Sequence, residues 1–271
     1  MKIITYEEIK QAFEELKIVG KRVVIHSSLS SFGNVEGGEN TVIKAIQNSF
    51  KTVMMPAFCW DSNTYPPKGD RPFRNGCDYA FYDNWSKKDK PFIVQYAGIE
   101  KSMGIISKTF LSVKGVERSD HPWHSWACYG EYSDKIIENH SYETTNLPLE
   151  RLLELDGHIV LIGVDLSSCT AIHIAEERVG RQPLIRWVVD KNGITRRVRA
   201  SSCGKGFINL NKYCEKILKQ TKVGNCIITT MPMEPFISHI TSVISKNPEI
   251  TKCSSTCIKC RDSILGGPIN E

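Results

Sequence analysis

Two kinds of hydrophobic pattern alternate along the amino-terminal part of the chain. Apolar residues at helical spacing follow Thr5–Glu8, whose Thr-x-x-Glu sequence has the form of a capping box. Short apolar runs at Val23–Ile25 and Val53–Met55 are typical of buried strands, and a second amphipathic helix around Val42–Ile46 lies between them. Helices that alternate with strands in this way predict an α/β fold around a parallel or mixed sheet.

The second half of the chain continues with a hairpin and a helix. The strand patterns Leu184–Val189 and Ile194–Ala200 flank Asp190–Gly193, which carries Asn-Gly at its turn. A further helix is predicted over Glu234–Ser245. Residues 61–90 differ, because they are rich in Pro, Asp, Asn, Lys and aromatic residues without a clear period. Such a length without regular structure favours a functional loop or lid.

The segment between these regions has the form of a strand, a polar turn and a helix. The apolar run Ile159–Ile162 predicts a buried strand that ends at Gly163. A helix is predicted from about Ala171 to Val179, with Gly180 as its stop. Residues whose side-chain oxygens can accept from free backbone N–H groups precede the helix: Ser167, Ser168 and Thr170. A junction of strand and helix is a common place for an α/β active site.

The predicted helix carries His173, with carboxylates about one turn further on at Glu176 and Glu177. All three lie off the apolar stripe of the helix, which disfavours a core position for the histidine. A carboxylate at this spacing can hold the imidazole and stabilise its protonated form, so the pattern fits a histidine base. The alternative is an ordinary surface histidine on a polar helix face.

Composition sets the broad class. The chain has 271 residues, of which 41% are hydrophobic and 24% are charged, as in ordinary soluble globular proteins. No apolar run approaches the ~20 residues of a membrane-spanning helix, and early acidic residues exclude a signal peptide at the amino terminus. We therefore expect a cytoplasmic protein without a membrane partner, folded as a single domain over residues 1–271.

Cysteines are numerous for such a protein. Ten are present, and without a secretion signal they should be reduced. Three of them form the pattern Cys253-x3-Cys257-x2-Cys260 in a cysteine-rich tail over residues 253–260. This spacing could supply three thiolates to zinc, although the sequence does not identify a fourth ligand. The alternative is a reduced and partly exposed tail.

Basic residues are concentrated in one segment. The net charge of +5 is too small to indicate nucleic acid by itself, but ten of the basic residues lie between Arg186 and Lys222. Arg197 and Arg199 have strand spacing and would share a face. They could meet the phosphates of a ligand or of RNA, or form a solvated face. A second class of function therefore stays open, a zinc-stabilised nucleic-acid-binding protein, although nucleic acid is the less expected partner.

Three further segments could carry chemistry. The loop from Ser27 to Gly38 is rich in serine and glycine and precedes a helix, which suits a phosphate or pyrophosphate. The segment Arg118–Trp126 contains two histidines, an arginine and two tryptophans, which indicates either a pocket wall or a structural turn. Cys169 lies near a helix start, where a thiol pKa can be lowered, so a hydrolase with a cysteine nucleophile is an alternative. The Gly-x-Ser-x-Gly motif of serine hydrolases is absent.

Five stretches in this order resemble the aminoglycoside 3-N-acetyltransferase family, also called the antibiotic N-acetyltransferase family, which is distinct from the GNAT fold. They are Val24 to Leu29, Gly33 to Gly38, Val53 to Pro56, Arg118 to Ser125, and Gly163 to Glu176. The resemblance implies an α/β/α sandwich with a mixed central sheet, and an enzyme that moves an acetyl group from acetyl-CoA to an amine.

The resemblance also implies roles for particular residues. The catalytic histidine would fall on His173, supported by Glu176, and His26 would lie in the same site. The residues implied for the acetyl-CoA site are Ser27, Ser28, Leu29, Ser30, Ser31, Phe32, Gly33, Gly37 and Gly38. In the reaction His173 would remove a proton from the attacking amine, and no acetyl-enzyme would form.

The first expectation for the acceptor is the 3-amino group of a 2-deoxystreptamine aminoglycoside. Asp120, Glu177 and Thr170 are the residues expected to contact it. The family often has Asp and Asn in the turn before its histidine, whereas this chain has Ser167, Ser168 and Cys169. Another amine or amino sugar is therefore the alternative acceptor within the same chemistry.

Overall fold

The computed structural model describes residues 2–85 and 90–270. The strands of this part of the chain are β1 (Ile3–Ile4), β2 (Arg22–Ser27), β3 (Asn34–Val35), β4 (Thr52–Pro56), β5 (Glu117–Arg118), β6 (Trp126–Gly130), β7 (His158–Ile162), β8 (Leu184–Val189), β9 (Thr195–Ala200), β10 (Lys219–Val223) and β11 (Cys226–Pro232). The α-helices are α1 (Tyr6–Glu15), α2 (Gly38–Ser49), α3 (Tyr79–Asp83), α4 (Gly104–Phe110), α5 (Ser133–Ile137), α6 (Leu147–Glu154), α7 (Ile172–Arg178), α8 (Asn211–Cys214), α9 (Met233–Lys246) and α10 (Ile258–Ile264).

A mixed seven-stranded sheet forms the centre of the molecule. Its strand order is β10-β11-β7-β2-β4-β6-β5, while β1 pairs with β3 and β8 pairs with β9 in two smaller sheets. Strand β2 runs parallel to both of its neighbours, β4 and β7. The remaining pairs of the central sheet are antiparallel. The predicted mixed sheet is therefore confirmed.

Helices cover both faces of this sheet. Side chains alternate along β2, so that Val24 packs into one apolar core while Val23 and Ile25 pack into the other. The first core contains apolar residues of α5, α6, α7 and α9. The second contains those of α1, α2 and α4. These two cores make the fold the α/β/α sandwich that the family resemblance implied.

Most of the predicted elements are present. The capping box before α1 is formed, because Glu8 accepts from the backbone N–H of Thr5 at 2.9 Å and Thr5 accepts from that of Glu8 at 3.4 Å. The hairpin and the last long helix lie where the pattern predicted them. In the described part of the chain no helix is long and apolar enough to span a membrane.

The described residues of the segment 61–90 are more ordered than their composition predicted. They include helix α3 and a short turn of 3-10 helix at Lys68–Asp70. The carboxylate of Asp70 accepts a hydrogen bond of 2.6 Å from the indole of Trp187 on β8. The expectation of a segment without regular structure was therefore wrong for this part, and residues 86–89 lie outside the described residues.

A glycine at the end of β7 allows the sheet to approach a neighbouring turn. Gly163 has φ of +64°, and a Cβ built on it would lie 1.8 Å from the hydroxyl oxygen of Ser31 and 2.2 Å from its Cβ. A side chain at this position would overlap the turn Leu29–Phe32, which follows β2. The close approach of these two strand ends shapes the edge of the sheet at which the candidate site lies.

We predict that Gly163→Ala destabilises the protein more than Gly193→Ala does. Both glycines have positive φ, but Gly193 has open space around its missing side chain. The strained backbone alone should cost about 1 kcal/mol, and overlap with Ser31 should add about 1–3 kcal/mol. Denaturant unfolding measures both values, and Ser31→Gly should recover part of the additional loss in the double variant. Equal losses for the two alanine variants would contradict this packing account.

Candidate active site

A cleft of about 400 Å³ opens where β2 and β7 end. The two strands are parallel neighbours, so their carboxyl ends meet at the same edge of the sheet. This is the usual position of a ligand site in α/β proteins. Residues that line the cleft include His26, Ser27, Phe58, His124, Thr170, His173, Ser202, Lys205 and Phe207.

His173 lines this cleft and forms a buried hydrogen-bonded pair with Glu176 behind it. The Nδ1 atom of His173 lies 2.7 Å from Oε2 of Glu176. The residues are only 7% and 4% exposed, so the expectation that the histidine lies outside the core was wrong, and the alternative of an ordinary surface histidine loses its support. The 3-10 segment Gly204–Leu210 covers that side of the helix. The ring of its Phe207 packs against the imidazole of His173, with 4.9 Å between the ring centroids.

The second carboxylate oxygen of Glu176 is held by Arg181, which the sequence analysis did not identify. The guanidinium Nη1 donates to Oε1 of Glu176 at 2.6 Å. It also donates to the hydroxyl of Thr251 at 2.7 Å, while Nη2 donates to the carbonyl of Pro248 at 2.7 Å. Ser202 donates a further bond of 3.1 Å to Oε2 of Glu176. The carboxylate thus has partners from three segments.

These partners keep the buried carboxylate charged. Burial alone would raise the pKa of Glu176, but the hydrogen bond and charge of His173 and the charge of Arg181 outweigh it and lower that pKa below its ordinary value. An ionised carboxylate can only accept hydrogen bonds, so Nδ1 of His173 is the donor of the pair. Nε2 is then the ring nitrogen left to act on a ligand.

The start of α7 differs from the prediction. The helix N-cap is Ala171, without a side-chain hydrogen bond, rather than one of the predicted polar residues. Asp165 instead caps the short 3-10 turn Leu166–Ser168, by accepting from the backbone N–H of Ser167 at 2.8 Å. Thr170 lines the cleft. The predicted stop is confirmed, because Gly180 follows the helix with φ of +89°.

Three polar atoms around the cleft have no partner among the described residues. They are Nε2 of His26, the hydroxyl of Ser27 and Nδ1 of His124. Burial lowers the pKa of His26 to about 4, and burial lowers that of His124 well below its ordinary value, so both rings are neutral at pH 7. Buried polar atoms without partners are costly, and a bound ligand is one way to satisfy them.

Most of the predicted cofactor loop lies away from this cleft. Ser27 lines it, but Phe32 is a core residue with 2% exposure. Ser31 donates to the carbonyl of Ser28 at 2.7 Å and to the sulfur of Cys226 at 3.1 Å.

Leu29, Gly33 and Gly38 line a separate groove beside β3. Ser28 and Ser30 bond to each other, and Gly37 is the N-cap of α2. The role of these residues toward acetyl-CoA stays a prediction.

The predicted acceptor residues are also separated. Asp120 is exposed and does not line the cleft. Glu177 lies beside His173 and Glu176 around a smaller cavity and accepts a hydrogen bond of 2.7 Å from Asn146. Burial raises the pKa of Glu177 to about 7.

The segment Arg118–Trp126 is mainly a structural turn. The guanidinium of Arg118 donates to the carbonyls of Ala57, Ala97 and Gly98 at 2.5–2.9 Å. Nδ1 of His121 accepts from the backbone N–H groups of Trp123 and His124. Of the two histidines, only His124 reaches the lining of the cleft.

Two alternatives lose their support. Cys169 is fully buried, and burial raises the pKa of its thiol to about 12, so it is not a thiolate nucleophile at neutral pH. Arg197 and Arg199 form ion pairs with Asp70 and Glu143 rather than a free basic face. The structure therefore contradicts the basis of the cysteine hydrolase and weakens that of the nucleic-acid-binding protein.

The cysteine pattern of the tail gains a fourth member. Cys253, Cys257 and Cys260 converge with Cys203, whose sulfur lies within 4.8 Å of the other three. No sequence signal identified Cys203, because it stands alone in the chain and reaches the cluster only through the fold.

We predict that Glu177→Gln makes the protein more stable at alkaline pH relative to the unsubstituted protein. The native carboxyl keeps its proton up to a pKa of about 7, above its ordinary value of 4.5. The native state therefore binds more protons than the unfolded state between these values, and the free energy of unfolding falls as pH rises through this window. Glutamine removes that loss, which amounts to about 1–3 kcal/mol above pH 7.

Thermal unfolding from pH 4 to pH 8 measures this difference. It should grow between about pH 4.5 and pH 7 and then stay constant. Glutamine can still accept the hydrogen bond from Asn146, so the charge is the main change. Parallel curves for the two proteins across this range would contradict the assignment of a raised pKa to Glu177.

The sequence matches a known protein family. A family model described as aminoglycoside 3-N-acetyltransferase matches residues 24–245. The chain is 32% identical over 191 residues to aminoglycoside N(3)-acetyltransferase III of Salmonella sp, covering 68% of this chain and 64% of that protein. It is 30% identical over 192 residues to the SPbeta prophage-derived aminoglycoside N(3')-acetyltransferase-like protein YokD of Bacillus subtilis (strain 168), covering 67% of this chain and 69% of that protein. The alignment thus spans a little under two thirds of the Salmonella protein.

Solved structures have the same fold. The crystal structure of YokD from Bacillus subtilis has a TM-score of 0.79 and 23% identity, and covers 92% of this chain and 96% of its own. That of the aminoglycoside acetyltransferase AAC(3)-IVa apoenzyme has a TM-score of 0.78 and 19% identity, with 98% and 99% covered. The family match over most of the sequence agrees with this architecture, and the chain belongs to the aminoglycoside 3-N-acetyltransferase family.

Proposed function

We propose that the protein transfers the acetyl group of acetyl-CoA to an amine, with His173 as the general base. The observation that carries this proposal is the 2.7 Å contact between Nδ1 of His173 and the buried Glu176 carboxylate, at the lining of a cleft. The carboxylate fixes the ring so that Nε2 can act on a ligand. The same arrangement does not need a nucleophilic side chain, and the buried thiol of Cys169 would not supply one.

The reaction is a direct displacement. The amine nitrogen bonds to the carbonyl carbon of the thioester while Nε2 of His173 accepts a proton from that nitrogen. The carbon–sulfur bond breaks, and coenzyme A leaves as a thiolate that takes up a proton. As the imidazole becomes positively charged, Glu176 stabilises it, and Arg181 holds the carboxylate in position. The products are an acetamide and coenzyme A.

The carbonyl oxygen of the thioester gains negative charge in this step and needs a hydrogen-bond donor. The hydroxyl of Ser27 lines the cleft and has no partner among the described residues. It is our candidate for this donor, since one well-placed donor can contribute a large part of the rate. His26 and His124 are neutral, and their unpartnered nitrogens can donate or accept hydrogen bonds at the same cleft.

Charge around the cleft bears on both substrates. Lys205 lines it, whereas no Asp or Glu does so in the described part of the chain. This charge suits the phosphates of coenzyme A, and a family member with the same fold was solved as a binary complex with CoASH, at 17% identity and a TM-score of 0.72. Coenzyme A as substrate and the reduced cysteines both fit a cytoplasmic protein.

These observations support two candidate acceptors of the acetyl group. The names of the relatives make an aminoglycoside the first candidate, and its cationic groups could reach Asp165 and Glu215 in the neighbouring groove. The absence of acidic lining residues from the described cleft favours the second candidate, an amine or amino sugar with fewer positive charges. Both use the same base and the same acetyl donor.

We predict that His173→Ala lowers kcat by about 10²–10⁴-fold while the Kd for coenzyme A stays nearly unchanged. Mass spectrometry of the products measures acetylation of a panel that contains 2-deoxystreptamine aminoglycosides and simple amino sugars. His239→Ala is the matched control, because His239 lies on α9 and bonds to the backbone carbonyl of Tyr213 instead of lining the cleft.

The outcomes separate the parts of the proposal. Acetylation of an aminoglycoside or of an amino sugar by the unsubstituted protein identifies the acceptor. Acetylation that survives in His173→Ala would overturn the assignment of the base. Failure to bind coenzyme A in a calorimetric titration would overturn the acetyl-CoA reaction as a whole.

We predict that Glu176→Gln reduces both kcat and stability, whereas Glu234→Gln changes neither by much. Glu234 forms an exposed pair with Arg178 at 2.9 Å, so the same substitution there should cost less than about 1 kcal/mol. At Glu176 it leaves the buried Arg181 without its counter-charge, which should cost about 3–5 kcal/mol. Steady-state kinetics and denaturant unfolding provide the two readouts. A Glu176→Gln variant with unchanged kcat would show that the carboxylate does not assist the base.

A further inference from the structure

Four cysteine thiols from two distant parts of the chain converge beside the cleft. Cys203 follows the hairpin of β8 and β9, while Cys253, Cys257 and Cys260 belong to the carboxy-terminal segment. Their sulfur atoms all lie within 4.8 Å of one another. The sulfur of Cys253 lies 3.8 Å from that of Cys203 and 3.6 Å from that of Cys260.

These separations match the geometry of a tetrahedral metal centre. Zinc–sulfur bonds of about 2.3 Å in a tetrahedron place neighbouring sulfurs about 3.8 Å apart. A disulfide would require a separation of about 2.05 Å, which is much shorter than either of the two measured distances.

We propose that Cys203, Cys253, Cys257 and Cys260 bind one zinc ion as a structural tetrathiolate site. Four thiolates fill the coordination sphere and leave no open position for a substrate, which distinguishes such a site from a catalytic zinc centre. Cys203 is the fourth ligand that the tail pattern alone lacked. The ion therefore joins the loop after β9 to the carboxy-terminal segment, and this inference does not depend on the proposed acetyl transfer.

The surroundings compensate the charge of such a centre. Zinc with four thiolates carries a net charge of −2, which favours nearby cations and N–H donors. The backbone amide of Lys205 lies near the sulfur of Cys203. The ammonium of Lys259 lies close enough to Cys203 and Cys257 to interact with them electrostatically.

The proposed zinc site would fix the segments that contact Glu176 and its partner Arg181. Ser202, which donates to Glu176 at 3.1 Å, directly precedes Cys203. Thr251, which accepts from Arg181 at 2.7 Å, lies just before Cys253. On the other side of the cluster, Asp262 follows Cys260 and accepts from the backbone N–H of Gly76 at 2.6 Å. The zinc site would therefore tie together the segments that surround the Glu176 carboxylate.

Metal analysis of the full chain tests the proposal. We expect inductively coupled plasma mass spectrometry to find about one zinc ion per chain after purification under reducing conditions. Cys203→Ser should lose the metal, whereas Cys77→Ser should retain it, because Cys77 is similarly half-buried but lies outside the cluster.

A second measurement does not depend on how the variants fold. Metal-stripped wild-type protein titrated with Co²⁺ should develop the charge-transfer and visible bands of tetrahedral thiolate coordination at about one equivalent, and added zinc should bleach them. Iron in place of zinc, a disulfide among the four cysteines after reconstitution, or the absence of these bands would each overturn the proposal.

The structural role has its own readout. Removal of the zinc should accelerate hydrogen exchange in residues 201–210 and 249–262, while exchange in α1 stays unchanged because that helix packs in the opposite core. Unchanged exchange in both segments after zinc removal would overturn the role of the ion as a link between them.

Discussion

The buried carboxylate of Glu176 is the interaction on which the site depends. A charged group with 4% exposure is stable only if its neighbours replace the water that it has lost. Arg181 supplies the opposite charge, and His173 and Ser202 supply hydrogen bonds to the other oxygen. Ser202 joins the carboxylate to the loop after β9, and Arg181 links it to the carboxy-terminal segment through Thr251, so Glu176 fixes where α7 and these two segments meet.

The hydrogen bonds of Glu176 leave mainly neutral groups at the cleft. Both carboxylate oxygens of Glu176 already have partners, so in the proposed mechanism Glu176 orients His173 instead of binding a cationic substrate. Three groups at the cleft that have no partner among the described residues are neutral, namely His26, Ser27 and His124. They are suited to a polar acyl group. Recognition of a charged acceptor would then have to come from the neighbouring groove that contains Asp165 and Glu215.

The sequence predicted those features that short stretches determine. The capping box at Thr5, the hairpin turn after Val189 and the spacing of His173 and Glu176 depend on residues close in the chain, and all are found in the structure. The burial of His173 was missed, because the helix pattern contains no information about the Phe207 segment that covers it. Cys203 was missed for the same reason, since its partner Cys253 lies far along the chain. Arg181 lies only five residues after Glu176 but beyond the end of α7, where helical spacing does not predict a contact.

In the proposed mechanism, Glu176 fixes the tautomer of His173 and so leaves Nε2 free to accept a proton. Nitrogen-15 NMR of the histidine rings measures this directly, at a pH at which the ring of His173 is neutral. We expect a protonated Nδ1 and an unprotonated Nε2 for His173, and loss of that preference in Glu176→Gln. A neutral ring that carries its proton on Nε2 would contradict it.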